Sequence, residues 1–403
     1  MESQDKAGMP LQDYPNRSIW TTWTISYNAI QAKNKAAGNM LLLWTWLDNK
    51  DLWYSLFAIA FKKSIAAGGI LPEWFEDIAS NEVKFSEAII LLQNYSLIED
   101  VEDLASYTAH PVVHQWALHF QGNDKRVELT RLAVIVVGWA VPYNSTREYS
   151  SLQRRLLPHA QCCLQWIIAG VIYTSDKEYD KPTAISADKE DMRVILGAIH
   201  SLANLYSDQG KLDEAEKMYQ RALQGKEKAL GAEHTSTLAT VNNLGNLYSN
   251  QGKLDEAEKT YQRALQGYEK ALGAEHSSTL ATVNSLGSLY SNQGKLDEAE
   301  KMYQRALQGY ERAIGREGVT TYIPALNTTW SLGSLFELQG STPKAREMYS
   351  AALAGYEKVV GLQHAHCQAL RELLRALDDS KVYIQDSTSK SKRRRLHRKL
   401  GLR

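Results

Sequence analysis

Cysteine is almost missing. Cys162, Cys163 and Cys367 are the only three in 403 residues, too few for a disulfide scaffold, and they fit a reducing, intracellular compartment. Long apolar runs are missing too. The longest is Leu132–Val141, well short of the roughly 20 residues a membrane-spanning helix needs. Met1–Pro10 has no basic stretch followed by an apolar one, so no secretory signal is expected there. Net charge is also absent: 46 Lys and Arg balance 46 Asp and Glu. That argues against a globally basic nucleic-acid binder and against a strongly acidic surface. Nor is there a G-x-x-x-x-G-K-[ST] loop, which removes the backbone cradle and the Lys and Ser/Thr that hold phosphate and Mg²⁺. G-x-S-x-G, G-x-G-x-x-G and the kinase loop set are missing as well. The expectation is a non-enzymatic protein with no cofactor and no metal.

The zero sum hides an asymmetry. Ser380–Arg403 carries nine basic residues against Asp386, a net of +8, which leaves −8 on the rest. Nine of the ten tryptophans lie between Trp20 and Trp166. These steps predict boundaries: an N-terminal module over 1–125, a helical linker over 126–187, a repeat region over 188–378 and a basic tail over 379–403. Apolar residues make up 44% and charged residues 23%, ordinary for a globular chain.

The repeats are explicit. The string GKLDEAEK begins at Gly210, Gly252 and Gly294, and a degenerate fourth copy, GSTPKARE, begins at Gly340. Leu238–Thr279 and Leu280–Thr321 differ at only nine of 42 positions, which points to duplication within the gene. Each unit reads as two helices. Val241, Leu244 and Tyr248 share one face of the first. Gly252 ends it, because glycine takes the left-handed C′ conformation without strain. Asp255 stands as N-cap or first-turn acid of the second. Ala257, Tyr261, Ala264 and Leu265 form its apolar face, and Gly273 closes it.

The order Leu244-Gly245, Tyr248, Gly252, Ala257, Tyr261, Ala264 resembles the tetratricopeptide repeat, and it recurs at Leu202-Ala203, Leu286-Gly287 and Leu332-Gly333. The unit is longer than the 34-residue form. With Ala-Leu-Gly-x-Glu-His between copies it is similar to the kinesin-light-chain type. The proline that usually follows the second helix is replaced by glycine at 231, 273, 315 and 361. The resemblance implies an α-solenoid of four repeats whose first helices line a concave groove for extended peptides. On that wall fall Asn204, Asn242, Asn243, Asn246, Asn250, Asn284 and Ser288. Each amide offers both a donor and an acceptor to a peptide main chain. The plainer reading of these asparagines is solvated surface. Two of the nine differences between the near-identical copies, Asn243/Ser285 and Asn246/Ser288, lie on this wall, as free diversification of a groove predicts.

The first half is rich in helical pattern. Ser18 or Thr22 is expected to cap a helix carrying Ile25, Tyr27 and Ile30. Leu41–Leu47 is apolar all round and is expected to be buried. Ala88, Ile89, Leu92 and Leu97 keep helical spacing. Leu97–Asp100 and Ala105–Thr108 read as a β-hairpin. A helix over His110–Phe120 is expected to bury Val113, Trp116, Ala117 and Phe120. Thr22-Trp23-Thr24-Ile25-Ser26, Asn94–Ile98, His110–Ala117 and Leu157-Pro158-His159-Ala160 resemble the segment that follows the nucleotide-binding module of fungal NLR-like signalling NTPases. That resemblance implies a winged-helix module in front of the solenoid, with the hairpin as its wing, in an otherwise all-α chain. It also implies that His110 stands in a nucleotide-sensing Met-His-Asp-like motif, degenerate here because Ala109 and Pro111 flank it. The chain resembles the back half of such a protein without its NTPase.

His110, His114 and His119 have a metal-like spacing, but Pro111 stands where a catalytic Glu would be, and structural roles are favoured. His159, Cys162 and Cys163 are read as packing residues, since adjacent cysteines diverge by about 100° on a helix. The tail Lys390–Lys399 reads either as a nuclear-localisation or nucleic-acid patch or as a charged terminus of no specific role. The function expected is binding of a protein or peptide partner in the cytoplasm, with nuclear location as the alternative through the tail, and with no membrane. Two rival functions stand beside it. One is the regulatory half of an NTPase whose nucleotide-binding chain is separate. The other is a kinesin-light-chain-like cargo adaptor, against which the absence of a preceding heptad coiled coil counts.

Overall fold

A computed structural model describes residues 14–69, 71–101, 105–142, 148–168 and 189–382. The basic segment Lys390–Lys399 and residues 169–188 lie outside the described residues. The chain divides into two compact units, Met1–Gly225 and Lys226–Arg403.

The first unit holds α1 (Tyr14–Lys33), α2 (Lys35–Trp44), α3 (Tyr54–Ala66), α4 (Glu73–Ser80) and α5 (Glu82–Asn94), then β1 (Ile98–Val101) and β2 (Ser106–Ala109). It continues with α6 (Pro111–Phe120), α7 (Asn123–Ala140), α8 (Tyr149–Ile168), α9 (Lys189–Asp208) and the start of α10 (Leu212–Leu230). Helix α1 begins earlier than expected, so Ser18 and Thr22 lie inside it rather than capping it. Pro15 falls in its first turn, where a missing N–H costs nothing. Asn34 caps α2 by accepting from Ala37 N–H at 3.0 Å. Leu41–Leu47 is buried throughout, as its pattern requires. Trp46 and Gln121 keep that core satisfied. Trp46 Nε1 donates to Gln121 Oε1, and Gln121 Nε2 donates to Leu42 O and Thr45 Oγ1.

The hairpin forms where the pattern placed it, with both strands shifted one residue later. Ile98 faces Ala109 and Val101 faces Ser106 in antiparallel register. Leu52 adds an isolated antiparallel bridge to Tyr107. In α6, Val113, Trp116 and Ala117 are buried, but Phe120 is exposed. It lies at the last turn and reaches inward only by stacking on Trp116 and meeting Tyr27 edge-on.

The second unit continues with α11 (Thr235–Gln251), α12 (Leu254–Leu272), α13 (Ser277–Asn292), α14 (Leu296–Val319), α15 (Ile323–Leu338), α16 (Thr342–Val360) and α17 (Ala365–Val382). Its helices pack as three antiparallel pairs, α11 with α12, α13 with α14 and α15 with α16, and each second helix packs on the next first one. Such contacts between neighbours in sequence are what stacked repeats produce. Gly252 takes φ 77° and ends α11, as its place in the repeat requires. Asp255 lies in the first turn of α12, where it complements the helix dipole; Lys253 holds the N-cap position. A Cβ at Gly245 would lie 2.6 Å from the Tyr261 ring, so glycine is what lets that ring seat against α11. His234 and His276 accept from Ser236 and Ser278 N–H and so cap α11 and α13. His364 accepts from His366 N–H at the start of α17. Helix α14 runs past a kink at Gly315, which absorbs the four extra residues between the third and fourth copies. Helix α17 turns Leu370, Leu373 and Leu377 inward. It pairs Arg371 with Glu357 and Asp378 with Arg346, so it closes the stack as a polar-faced cap.

Candidate functional site

The first helices of the second unit carry almost no charge. Thr235–Gln251 and Ser277–Asn292 contain no Asp, Glu, Lys, Arg or His, and Ile323–Leu338 contains only Glu337. The second helices hold the charge and pair it across repeats: Arg263 with Glu227, Arg305 with Glu269, and Lys295 with Glu258. The sequence thus sorts polar but neutral groups to one set of helices and ionised groups to the other.

The expected wall residues differ in what they do. Asn246 is exposed, and its Oδ1 accepts from Tyr261 OH at 2.6 Å. Asn242 and Asn284 are half-buried. Asn242 Oδ1 accepts from Thr282 Oγ1 of the next first helix at 3.0 Å. Asn284 Oδ1 is buried without a partner among the described residues. Asn243 and Asn250 are half-buried on the same helix as Asn242. Ser288 is buried, with its hydroxyl donating to Asn284 O at 3.2 Å and taking a bond from Tyr303 OH at 3.0 Å. Asn204 lies in the first unit, where its Oδ1 accepts from Tyr219 OH. The position matching Asn242 and Asn284 in the fourth copy is Trp330, fully buried and edge-on to Tyr356 and His366. The row of amides therefore stops there.

Sequence reasoning took the tyrosines of the second helices as packing alone. The structure adds a second role. The same phenol recurs fifteen residues after the wall position in every copy: Tyr219 to Asn204, Tyr261 to Asn246, Tyr303 to Ser288 and Tyr349 to Ser334. Ser285 hydrogen-bonds the Tyr261 phenol and Ser331 the Tyr303 phenol, each from the next first helix. Burial pushes both phenols up, Tyr303 to about 12, so both stay protonated donors at neutral pH. The signal was legible: phenylalanine would fill the same volume, yet tyrosine stands in all four copies.

A second missed residue is Lys226, at the position where the later copies have Tyr268, Tyr310 and Tyr356. Its side chain is 3% exposed. Its Nζ donates to Ser236 O at 3.2 Å and Thr240 Oγ1 at 3.0 Å. Burial without a carboxylate partner lowers its pKa to about 8.

In the first unit the histidines of metal-like spacing serve backbone groups. His110 caps α6 by accepting from Val112 N–H, His114 Nε2 lies against Trp44 O and Leu47 O, and His119 Nδ1 faces Gln115 O. His159 is fully buried, accepts from Asp48 N–H at 3.1 Å and faces Asp51 O with Nε2. Burial holds it below its ordinary pKa. Beside it, Arg155 makes a two-pronged bond to Asp51 and lies over the Trp53 ring. Burial raises the Asp51 carboxyl, but the Arg155 bonds and charge outweigh it and leave the group below its usual range.

Residues 195–270 and 236–312 match one tetratricopeptide-repeat model, and residues 284–358 match a second. The repeats are tetratricopeptide repeats. A nucleotide-binding leucine-rich repeat (NLR)-like protein of Hyaloscypha variabilis is 27% identical over 223 residues, which cover 55% of this chain and 19% of that protein. The chain thus spans about a fifth of the length of the relative it matches. Among solved structures, a Podosopora anserina chain of the kinesin-light-chain kind with nearly identical TPR-like repeats is similar at 22% identity, covering 51% of this chain and 95% of that one, with TM-score 0.40. NprR in complex with its cognate peptide NprX is similar at 16% identity, covering 83% of this chain and 75% of that one, with TM-score 0.38. No described helix is long and apolar enough to cross a membrane.

Proposed function

We propose that this protein is a non-enzymatic interaction scaffold whose repeats take an extended, uncharged peptide segment along the wall of first helices. The observation that carries the reading is the charge sorting: α11 and α13 are free of ionisable groups other than tyrosine while presenting Asn242, Asn243, Asn246, Asn250 and Asn284. Amides can meet both the N–H and the C=O of a main chain, so affinity comes from the backbone of the bound segment rather than from its charges. Ser288 supports this wall from inside. The NLR-like relative supports reading the chain as the repeat-bearing part of a signalling protein of that kind. The order of α2, the Leu52 bridge, α3 to α5 and the β1–β2 hairpin supports a winged-helix module before it.

The test uses the full chain and a pool of short, N-acetylated, C-amidated peptides built from uncharged residues, with retention read by equilibrium dialysis and mass spectrometry. Retention should change little as salt rises from about 50 to about 500 mM, because no ion pair is made. It should also survive truncation after Asp378. A steep loss with salt, or abolition by removing the basic tail, would refute the reading in favour of the tail.

A further inference from the structure

Asn246 and Ser288 occupy the same position in adjacent copies, but they present different faces to the wall. At Asn246 the Tyr261 phenol takes up Oδ1 from inside, and no hydrogen bond among the described residues takes up Nδ2. Tyr261 donates to Asn246 and is also hydrogen-bonded by Ser285 of the next first helix. An amide whose oxygen is held inward has its NH₂ turned outward, and the side chain is exposed. At Ser288 the single hydroxyl is consumed, since it takes the Tyr303 proton and gives its own to Asn284 O. The side chain is buried, so nothing polar is left to face a ligand. The two phenols are otherwise a matched pair, each 3% exposed and each seated on a glycine of the first helix, Gly245 or Gly287.

We propose that Tyr261 is a positioning residue. It fixes the Asn246 amide with its NH₂ outward, so that this position of α11 reads a main-chain carbonyl while the matching Ser288 of α13 reads none. This rests on the peptide-groove reading and deepens it. An unheld asparagine offers donor or acceptor by rotating about its last torsion; a held one offers donors only. The wall then has polarity: it accepts an extended segment in the register that places a C=O over Asn246. Preorganisation of this kind lowers the ordering cost of binding.

The matched pair supplies the control. Tyr261→Phe and Tyr303→Phe each delete one buried phenol bond and keep the ring, so both should lower stability to a similar extent. Only Tyr261→Phe should weaken retention of the uncharged peptide pool, by about 2- to 10-fold for one lost hydrogen-bond partner. Asn246→Ala should weaken it as much, and the double variant no more than either alone, since the two act as a unit. In ¹⁵N spectra of the ligand-free chain, the Asn246 side-chain NH₂ signals should move in Tyr261→Phe and stay in Tyr303→Phe. Equal losses of binding in both phenylalanine variants, no loss in either, or an unmoved Asn246 signal would overturn the proposal and leave the groove reading standing. A wild-type chain that retains no peptide would refute the groove reading, and the carbonyl-reading role with it, while the spectra still decide whether Tyr261 holds the amide.

Discussion

Replacing Lys226 by methionine should stabilise this protein. Lys226 is almost fully buried and, among the described residues, bonded only to the neutral acceptors Ser236 O and Thr240 Oγ1. The folded state lowers its pKa from 10.5 to about 8. At about 1.4 kcal/mol per unit, keeping the ammonium charged in that site costs on the order of 3 kcal/mol. The sign follows from proton binding. Below pH 8 the lysine is charged folded and unfolded, and the whole penalty is present. Between pH 8 and 10.5 the unfolded chain holds the extra proton, so stability rises with pH. Methionine keeps the apolar stem and removes the charge. The hydroxyl of Thr240 already donates to Ser236 O, so that bond outlasts the substitution. The net gain expected at pH 7 is about 1–3 kcal/mol, as for other buried charges replaced by apolar groups. Urea denaturation of both chains between pH 7 and 9.5, below the ordinary titration of tyrosine, measures it. The gap between variant and wild type should be largest at pH 7 and shrink as pH rises. A methionine variant less stable than wild type at pH 7, or a gap independent of pH, would refute the reasoning.

Two further outcomes follow from the packing. His159 is buried neutral, so acid should destabilise the first unit. Its contribution is complete above its ordinary value near 6.5 and is lost as pH falls below it, by about 1.4 kcal/mol per unit until the depressed folded pKa is reached; urea midpoints from pH 7 to 5 should lose that slope in His159→Gln. Gly245→Ala would place a Cβ 2.6 Å from the Tyr261 ring. It should cost about 1–3 kcal/mol of strain, offset by up to about 1 kcal/mol of helix propensity, and a calorimetric Tm equal to or above wild type would contradict that geometry.

The repeats were legible because their physics is local. Gly252 and Gly273 mark helix ends, and the Leu244, Tyr248 and Ala257, Tyr261 faces follow one period, so each pair of helices could be drawn from 42 residues alone. The hairpin at 98–109 was legible for the same reason. Helix α1 was misplaced because Ser18 and Thr22 look like caps, yet a cap acts only where the preceding chain leaves the helix, and here the helix starts at Tyr14. Phe120 was misassigned because helical spacing cannot tell the last turn, where the partner surface runs out. The asparagines were visible as a row of residue types, but not as hydrogen bonds. That Tyr261 serves Asn246, that Thr282 serves Asn242 and that Ser288 faces inward are contacts between helices, which sequence spacing does not encode. Lys226 was legible only by aligning the copies, where a lysine stands against three tyrosines.

The most direct test of the account is the Asn242→Ala, Asn246→Ala double variant of the full chain, measured for retention of the uncharged peptide pool and for Tm. Each lost amide costs about 0.5–1.5 kcal/mol, so binding should fall by about 5- to 150-fold if the two add. Tm should fall, because the buried Tyr261 phenol loses its acceptor and Thr282 loses one of its two, but the fold should stay intact, since the packing of the helix lies on other faces. Unchanged retention in this variant, with the fold intact, would contradict the wall as the binding surface.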